Sequence, residues 1–181
     1  MSRGVAFERA MLRAVPKLSE ELVKKLSTDN TGTHEPYLFL NSTWVESGER
    51  SIASDIEITP EFFPASRNQF ERLKKNLTLA TAAHNSARFP FVNAIGVVKG
   101  KDKESSGHLA DGGYFDNSGG HTTSDLLRAL GRCLTAGDAM PGCSDKELTP
   151  EVKQWLREHL LPQVIMIRNG VQIPPANKAP F

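Results

Sequence analysis

The order of apolar and polar positions along the chain predicts alternating helices and strands. The pattern predicts helices in six segments: 3–14, 18–26, 66–77, 78–87, 122–135 and 149–160. Apolar runs or alternation predict strands at 37–40, 51–54, 56–63, 91–98, 108–110 and 163–167. Because several of these runs are apolar throughout, they are typical of an α/β fold with a mostly parallel sheet covered on both faces.

The length of 181 residues fits about one domain. The interior contains no repeat, low-complexity tract or linker, and the proline-rich end reads as loose. We therefore expect one domain over 1–169 and a C-terminal tail over 170–181.

The composition is that of a folded domain and gives no sign of a nucleic-acid partner or a disulfide framework. There are 22 basic and 21 acidic residues, so the net charge of +1 gives no reason to expect nucleic acid as a partner. The hydrophobic fraction of 39% is that of a folded domain. Two cysteines, Cys133 and Cys143, are too few for a disulfide framework, and we expect two reduced thiols.

The sequence has no predicted membrane anchor. No segment approaches the roughly 18 consecutive apolar residues of a membrane span. Charged residues interrupt the apolar ones over 1–15, so an export signal is not predicted. The location stays open between the cytoplasm and the periphery of a membrane.

The segment 108–120 contains the most specific candidate for chemistry. Asp111 follows a short predicted strand and precedes Gly112 and Gly113. Ligand sites of α/β proteins collect at strand ends, and glycine permits a close approach of the backbone. The same tripeptide also makes an ordinary turn, so both interpretations stay open.

Two further segments contain clusters of polar residues next to predicted helices or strands. His84, Asn85, Ser86 and Arg88 interrupt a helix of small residues. A helix with a polar end is the simpler interpretation of that segment. The segment 41–50, directly after the first apolar strand, reads by itself as a polar turn.

Taken together and in order, these segments resemble the C-terminal part of the patatin-like phospholipase catalytic domain, over roughly residues 3–168. The matching positions are Arg3 and Glu8 in the opening helix, Asn41, Thr43 and Gly48 after the first strand, Ser86, Ala87 and Pro90 at a helix end, and Asp111, Gly112, Gly113 and Asn117. Each motif is weak alone, and their order carries the resemblance.

The resemblance implies a three-layer α/β/α fold and a serine acyl hydrolase acting on lipid or acyl esters, with no cofactor and no metal. It implies that Asp111 is the acid of a Ser–Asp dyad that deprotonates a nucleophilic serine. It also implies site-supporting roles for six residues: Asn85, Ser86, Pro90, Gly112, Gly113 and Asn117.

The nucleophile of that family is missing from the 181 residues. No serine lies in the frame Gly-x-Ser-x-Gly, since Ser47, Ser106 and Ser118 each lack part of it. The chain is then a fragment, one piece of a split enzyme, or a degenerate member that only binds. Whether it acts as an enzyme stays open.

Two hypotheses follow from this gap. In the first, the chain is the Asp-bearing half of an acyl hydrolase and its partner is the N-terminal half of the same domain. In the second, it is a non-catalytic binding or regulatory protein. Without the other half, we expect an exposed sheet edge and self-association.

Four scattered histidines favour ordinary polar roles over a metal site: His84, His108, His121 and His159.

Overall fold

The computed structural model describes residues 3–22, 36–70, 77–100, 106–135, 143 and 148–167. This part of the chain is a mixed α/β structure around one open, five-stranded sheet. The strands are β1 (Phe39–Trp44), β2 (Arg50–Ser54), β3 (Ser66–Asn68), β4 (Gly96–Val98) and β5 (Gly107–Asp111). The helices are α1 (Arg3–Ala14), α2 (Leu79–Ser86), α3 (Gly113–Asp116), α4 (Gly120–Thr135) and α5 (Pro150–His159), with a 3₁₀ helix at Pro16–Ser19.

The sheet has the order β3-β2-β1-β5-β4 and is mostly antiparallel. The pairs β1–β2, β1–β5 and β4–β5 are antiparallel, and β2–β3 is parallel. The prediction of an α/β fold is confirmed, but the prediction of a mostly parallel sheet is wrong for the described strands. The connection from β1 to β2 is a tight turn with Gly48 at φ +71°, and parallel pairing needs a crossover of a dozen or more residues.

The two faces of the sheet pack against different parts of the chain. In the pairing of β1 with β2, Leu40 lies opposite Ala53 on one face, and Asn41 lies opposite Ile52 on the other. The first face joins the cluster Leu22, Ala53, Leu77 and Ala82, and the second joins Ile52, Ile58 and Phe63. A third cluster of Trp44, Val98 and Leu109 holds the β4 end of the sheet.

Side-chain caps explain where the helices begin. The hydroxyl of Thr78 accepts a hydrogen bond from the Thr81 N–H at 3.2 Å at the start of α2. Thr149 does the same for Val152 at 3.4 Å in α5, as the sequence predicts. The predicted helix start at Ser66 is wrong, because Ser66–Asn68 pairs as β3 and the helical residues begin at 69.

Three predicted strands differ from the structure. The segment 56–63 forms bends and turns and belongs to no strand of the sheet. The run 91–98 is a strand only over β4, because 91–95 forms a turn. The run 163–167 lies outside the sheet and is exposed, so the predicted buried strand there is wrong. An apolar run indicates that burial would stabilise a segment. It does not show that a neighbouring strand is present to pair with the segment's backbone. The predicted tail, 170–181, lies outside the described residues.

The two cysteines form a disulfide, which corrects the expectation of free thiols. Cys133 near the end of α4 and Cys143 are joined, with their Cα atoms 5.1 Å apart. The bond closes a short loop, since the two residues are 10 positions apart.

Replacing both cysteines by serine should lower the free energy of unfolding by about 2–3 kcal/mol, the entropy that a loop of this length removes from the unfolded chain. Urea unfolding of Cys133→Ser/Cys143→Ser beside the oxidised wild type measures this. Equal midpoints and slopes for the two proteins would show that the disulfide does not stabilise the fold.

Candidate functional site

Asp111 is the last residue of β5, and three hydrogen bonds fix the backbone around it. Its N–H donates to the carbonyl of Arg88 at 3.0 Å, and the next N–H, of Gly112, donates to the carbonyl of Ser86 at 3.0 Å. The Thr43 hydroxyl donates to the Asp111 carbonyl at 2.9 Å. The end of α2, the end of β1 and the Asp-Gly-Gly turn therefore meet at one place. The sequence motifs 80–91, 41–50 and 108–120 are brought together there.

The Asp111 carboxylate is half-buried and only partly engaged. Its Oδ1 accepts a hydrogen bond from the Gly113 N–H at 2.7 Å. Among the described residues, none donates a hydrogen bond to Oδ2, and no serine hydroxyl bonds this carboxylate. One oxygen is thus held in place by the backbone, and the other has no hydrogen-bond donor among the described residues.

Space requires the first of the two glycines after Asp111, and the second leaves room for two side-chain ends. A Cβ on Gly112 would overlap the backbone carbonyl of Asn41 in β1. A Cβ on Gly113 would lie 2.8 Å from Asp111 Oδ1 and 3.0 Å from Asn117 Oδ1. Gly112 itself has an ordinary φ of −65°. The Asp-Gly-Gly sequence therefore serves close approach of the backbone to β1 and to the carboxylate.

Gly112→Ala should destabilise the fold by about 1–3 kcal/mol, because the added methyl meets backbone that cannot rotate away. Gly131→Ala is the matched control, since nothing lies within 4 Å of a Cβ there in the exposed middle of α4. That control should stabilise by about 0.5–1 kcal/mol. Thermal unfolding measures both, and a Gly112→Ala protein as stable as the wild type would contradict the packing described.

The remaining predicted site residues differ in how directly they contact the Asp111 turn. Ser86 contributes its backbone carbonyl, and Asn117 is exposed just after α3. Asn85 is buried, donates to Gln69 Oε1 at 3.4 Å and accepts from Arg88 Nε at 2.9 Å. Its amide therefore serves packing between α2 and the sheet. Pro90 lies in the turn that follows α2.

A buried polar network that the sequence analysis missed holds the second face of the sheet to α3 and α4. The Thr122 hydroxyl accepts from Asn41 Nδ2 at 2.9 Å and from Arg50 Nη1 at 3.0 Å. It lies 3.1 Å from Asp116 Oδ2, to which it donates. Arg50 also forms an ion pair with Asp125. Because Asn41 is the residue that Gly112 packs on, this network supports the Asp111 turn.

The pKa of Asp116 is lowered within this network. Burial favours the neutral acid and would raise the pKa, but hydrogen bonds from the Thr122 and His121 N–H groups and from the Thr122 hydroxyl outweigh it. A lowered pKa in the folded state means that the carboxylate stabilises the fold above its ordinary pKa. That stabilisation is lost as the pH falls through the folded-state value.

The histidines do not form a metal site in the described part of the chain. His84 is fully buried on α2, with Nδ1 2.9 Å from Glu8 Oε1 of α1. His108 Nδ1 lies 2.6 Å from Glu46 Oε1 at the surface. Within the described ranges, no group of three or more His, Cys, Asp or Glu side chains is placed to hold a metal ion.

Comparison with known proteins gives no match: no family model fits the chain, and no curated protein or solved structure is significantly similar to it. The helices that the structure describes include none that is long and apolar enough to cross a membrane. The class that fold and site define is a mixed α/β domain with a half-buried carboxylate at a strand end. Because a fold does not define a function, the function proposed below rests on that carboxylate.

Proposed function

We propose that this chain is the Asp-bearing half of a patatin-like serine acyl hydrolase, within a three-layer α/β/α domain that a nucleophile-bearing segment completes. The observation that carries the proposal is the Asp111 carboxylate. It is fixed by the backbone at a strand end, has one oxygen bound by the Gly113 N–H, and leaves Oδ2 available for a hydroxyl. A general base must be held in this way to take a proton at a defined position.

In the proposed reaction, Asp111 accepts the proton of a serine hydroxyl as the serine oxygen attacks an acyl ester carbonyl. The tetrahedral intermediate places its negative charge on the former carbonyl oxygen, which backbone N–H groups of a glycine-rich loop stabilise. Loss of the alcohol, which takes up the proton, leaves an acyl-serine that water hydrolyses. The serine and the glycine-rich loop belong to the second segment, because neither is present in the 181 residues.

The exposed apolar segment 161–167 supports the need for a second segment. Leu161, Ile165 and Ile167 are each more than four-fifths exposed, although the run Val164–Ile167 contains no polar residue. Burying such side chains stabilises a protein by about 1.5–3 kcal/mol each. A second segment packed against 161–167 would bury these side chains.

The alternative proposal is a non-catalytic binding or regulatory protein that keeps the Asp111 turn. One observation favours it: no serine hydroxyl of the described residues contacts the Asp111 carboxylate. Under this proposal the turn is retained for packing, as the close approach of Gly112 to Asn41 requires.

Reading the genomic DNA upstream of the Met1 codon, in frame and for the length of a domain, separates the two proposals. The hydrolase proposal expects a Gly-x-Ser-x-Gly segment preceded by a glycine-rich loop, in frame or in an adjacent gene. A stop codon directly upstream, with no adjacent gene that encodes such a serine, would leave the binding proposal.

A further inference from the structure

Arg88, just after α2, joins the end of that helix to the Asp111 turn through its backbone. Its carbonyl accepts the N–H of Asp111 at 3.0 Å, and the carbonyl of Ser86 accepts the N–H of Gly112 at 3.0 Å. Both carbonyls lie at the end of α2, whose C-cap is Ala87. The last carbonyls of a helix have no partner within the helix, and here they hold the end of β5. The position of Asp111 therefore depends on what fixes this short stretch of chain.

The side chain of Arg88 fixes that stretch. Its Nε donates to Asn85 Oδ1 at 2.9 Å, and its Nη1 donates to the carbonyl of Ala94 at 3.0 Å. A Cβ on Gly96 of β4 would lie 2.7 Å from Arg88 Nε, so the guanidinium packs directly on the backbone of that strand. Hydrogen bonds from a charged, planar group of this kind are strong and directional. The guanidinium therefore anchors the carbonyl that accepts the Asp111 N–H.

Helix α1 contacts the same guanidinium. A Cβ on Gly4, which is buried, would lie 3.5 Å from Arg88 Nη1. Glu8 lies one turn later in α1, with its Oε1 2.9 Å from Nδ1 of the buried His84 in α2. Burial lowers the pKa of Arg88, and the charge of Glu8 opposes that effect because an anion favours the guanidinium cation. The docked helix therefore adds both packing and a counter-charge around Arg88.

Helix α1 buries little apolar surface near these contacts. Val5 is 43% and Phe7 41% exposed, although the ring of Phe7 meets that of His84 with centroids 5.1 Å apart. The Glu8 side chain that bonds His84 is itself 26% exposed. Elements that bury little apolar surface open at a lower free-energy cost than the core of a fold. We therefore expect α1 to separate from Arg88 more readily than the strands of the sheet separate from one another.

We propose that Arg88 is a positioning residue for the Asp111 carboxylate, and that α1 controls through Gly4 and Glu8 how firmly Arg88 holds it. With α1 docked, the guanidinium is fixed and the end of β5 is bound to the end of α2. With α1 displaced, Arg88 loses a packing surface and a counter-charge, and the Asp111 turn opens more often. The consequence for catalysis rests on the proposed function, whereas the positioning itself is measured without ester cleavage.

Amide hydrogen exchange of the full chain, followed by NMR, tests the proposal at the N–H groups of Asp111 and Gly112. Arg88→Met should speed exchange of both amides by about ten- to a hundredfold, because it removes hydrogen bonds that a charged group donates. Arg88→Lys keeps the charge without the planar pair of donors, so its effect should be smaller. The amides of β1 and β2 are the internal reference, since a loss of global stability speeds them as well.

Glu8→Gln tests the part played by α1 in a protein whose fold should be intact. It removes the charge of a partly exposed side chain, so the Asp111 and Gly112 amides should exchange about two- to fivefold faster. Arg128→Met serves as the control for removing an arginine, because Arg128 is 74% exposed on α4 and takes no part in these contacts. In that variant the two amides should exchange at the wild-type rate.

The proposal is overturned if Arg88→Met speeds the Asp111 amide no more than the amides of β1 and β2, because Arg88 would then serve only general stability. It is also overturned if Glu8→Gln leaves the Asp111 amide unchanged, because α1 would then have no hold on the site. If both amides respond as expected but Asp111→Asn hydrolyses esters at the wild-type rate, the positioning stands and the proposed hydrolase falls.

Discussion

Asp111→Asn should lower ester hydrolysis by about 10³–10⁴-fold in the proposed hydrolase, in which a second segment supplies the serine. The amide has the shape of the carboxylate, and its Oδ1 can still accept the hydrogen bond that the Gly113 N–H donates at 2.7 Å. It cannot take a proton from the serine. The expected loss is therefore in the chemical step, with the fold unchanged. Initial rates on a short-chain nitrophenyl ester, with circular dichroism of both proteins, measure this.

Glu57→Gln provides the control for charge. Glu57 is an exposed carboxylate between β2 and β3, away from the hydrogen bonds that fix Asp111. The same chemical change there should leave the rate at the wild-type value. If Asp111→Asn retained the wild-type rate, Asp111 would not be the base.

Arg50→Met should destabilise the fold by about 3–5 kcal/mol, the usual result of removing one partner of a buried ion pair. The Arg50 side chain is 1% exposed, pairs with Asp125, and donates from Nε to Ser66 Oγ at 2.8 Å. Its removal leaves the buried Asp125 carboxylate of α4 without its principal partner. Urea unfolding measures the change in the free energy of unfolding. If the variant shows no cooperative transition, the destabilisation has exceeded the stability of the fold.

Arg128→Met is the matched control, because Arg128 reaches the same carboxylate from the surface. Its Nη1 lies 3.8 Å from Asp125 Oδ1, and the side chain is 74% exposed. An exposed pair of this kind contributes about 0–1 kcal/mol. Arg50→Met/Asp125→Leu should recover part of the stability, because the unpaired charge is removed with its partner. Equal effects of the two single arginine variants would contradict the buried network.

The sequence pattern predicted the elements whose signals are local. The helix start at Thr149, the helical spacing of α1 and α4, and Asp111 at the end of a strand all depend on residues close together in the chain. The strand pairings are not local, and the short turn after β1 made the sheet antiparallel where an α/β pattern favoured parallel strands.

The candidate site was predictable in part for the same reason. Asp111 and its glycines form one contiguous motif. The buried network joins Arg50 to Thr122 and Asp116, which lie more than sixty positions away. The pair Ser66 and Gln69 matched a helix start, so the pairing of Ser66 in β3 and the burial of Gln69 were missed. The sequence signal at Arg50 was weak, because Arg50 ends the predicted polar turn 41–50 and precedes the strand predicted at 51–54.

The measurement that tests the central claim most directly is labelling of the natural full-length product with a fluorophosphonate probe, followed by peptide mass spectrometry. If Asp111 activates a serine, the wild type should be labelled on one serine of a Gly-x-Ser-x-Gly segment outside these 181 residues, and Asp111→Asn should label far more slowly. If no serine is labelled, or if labelling is equally fast in Asp111→Asn, the carboxylate is not the base of an acyl hydrolase.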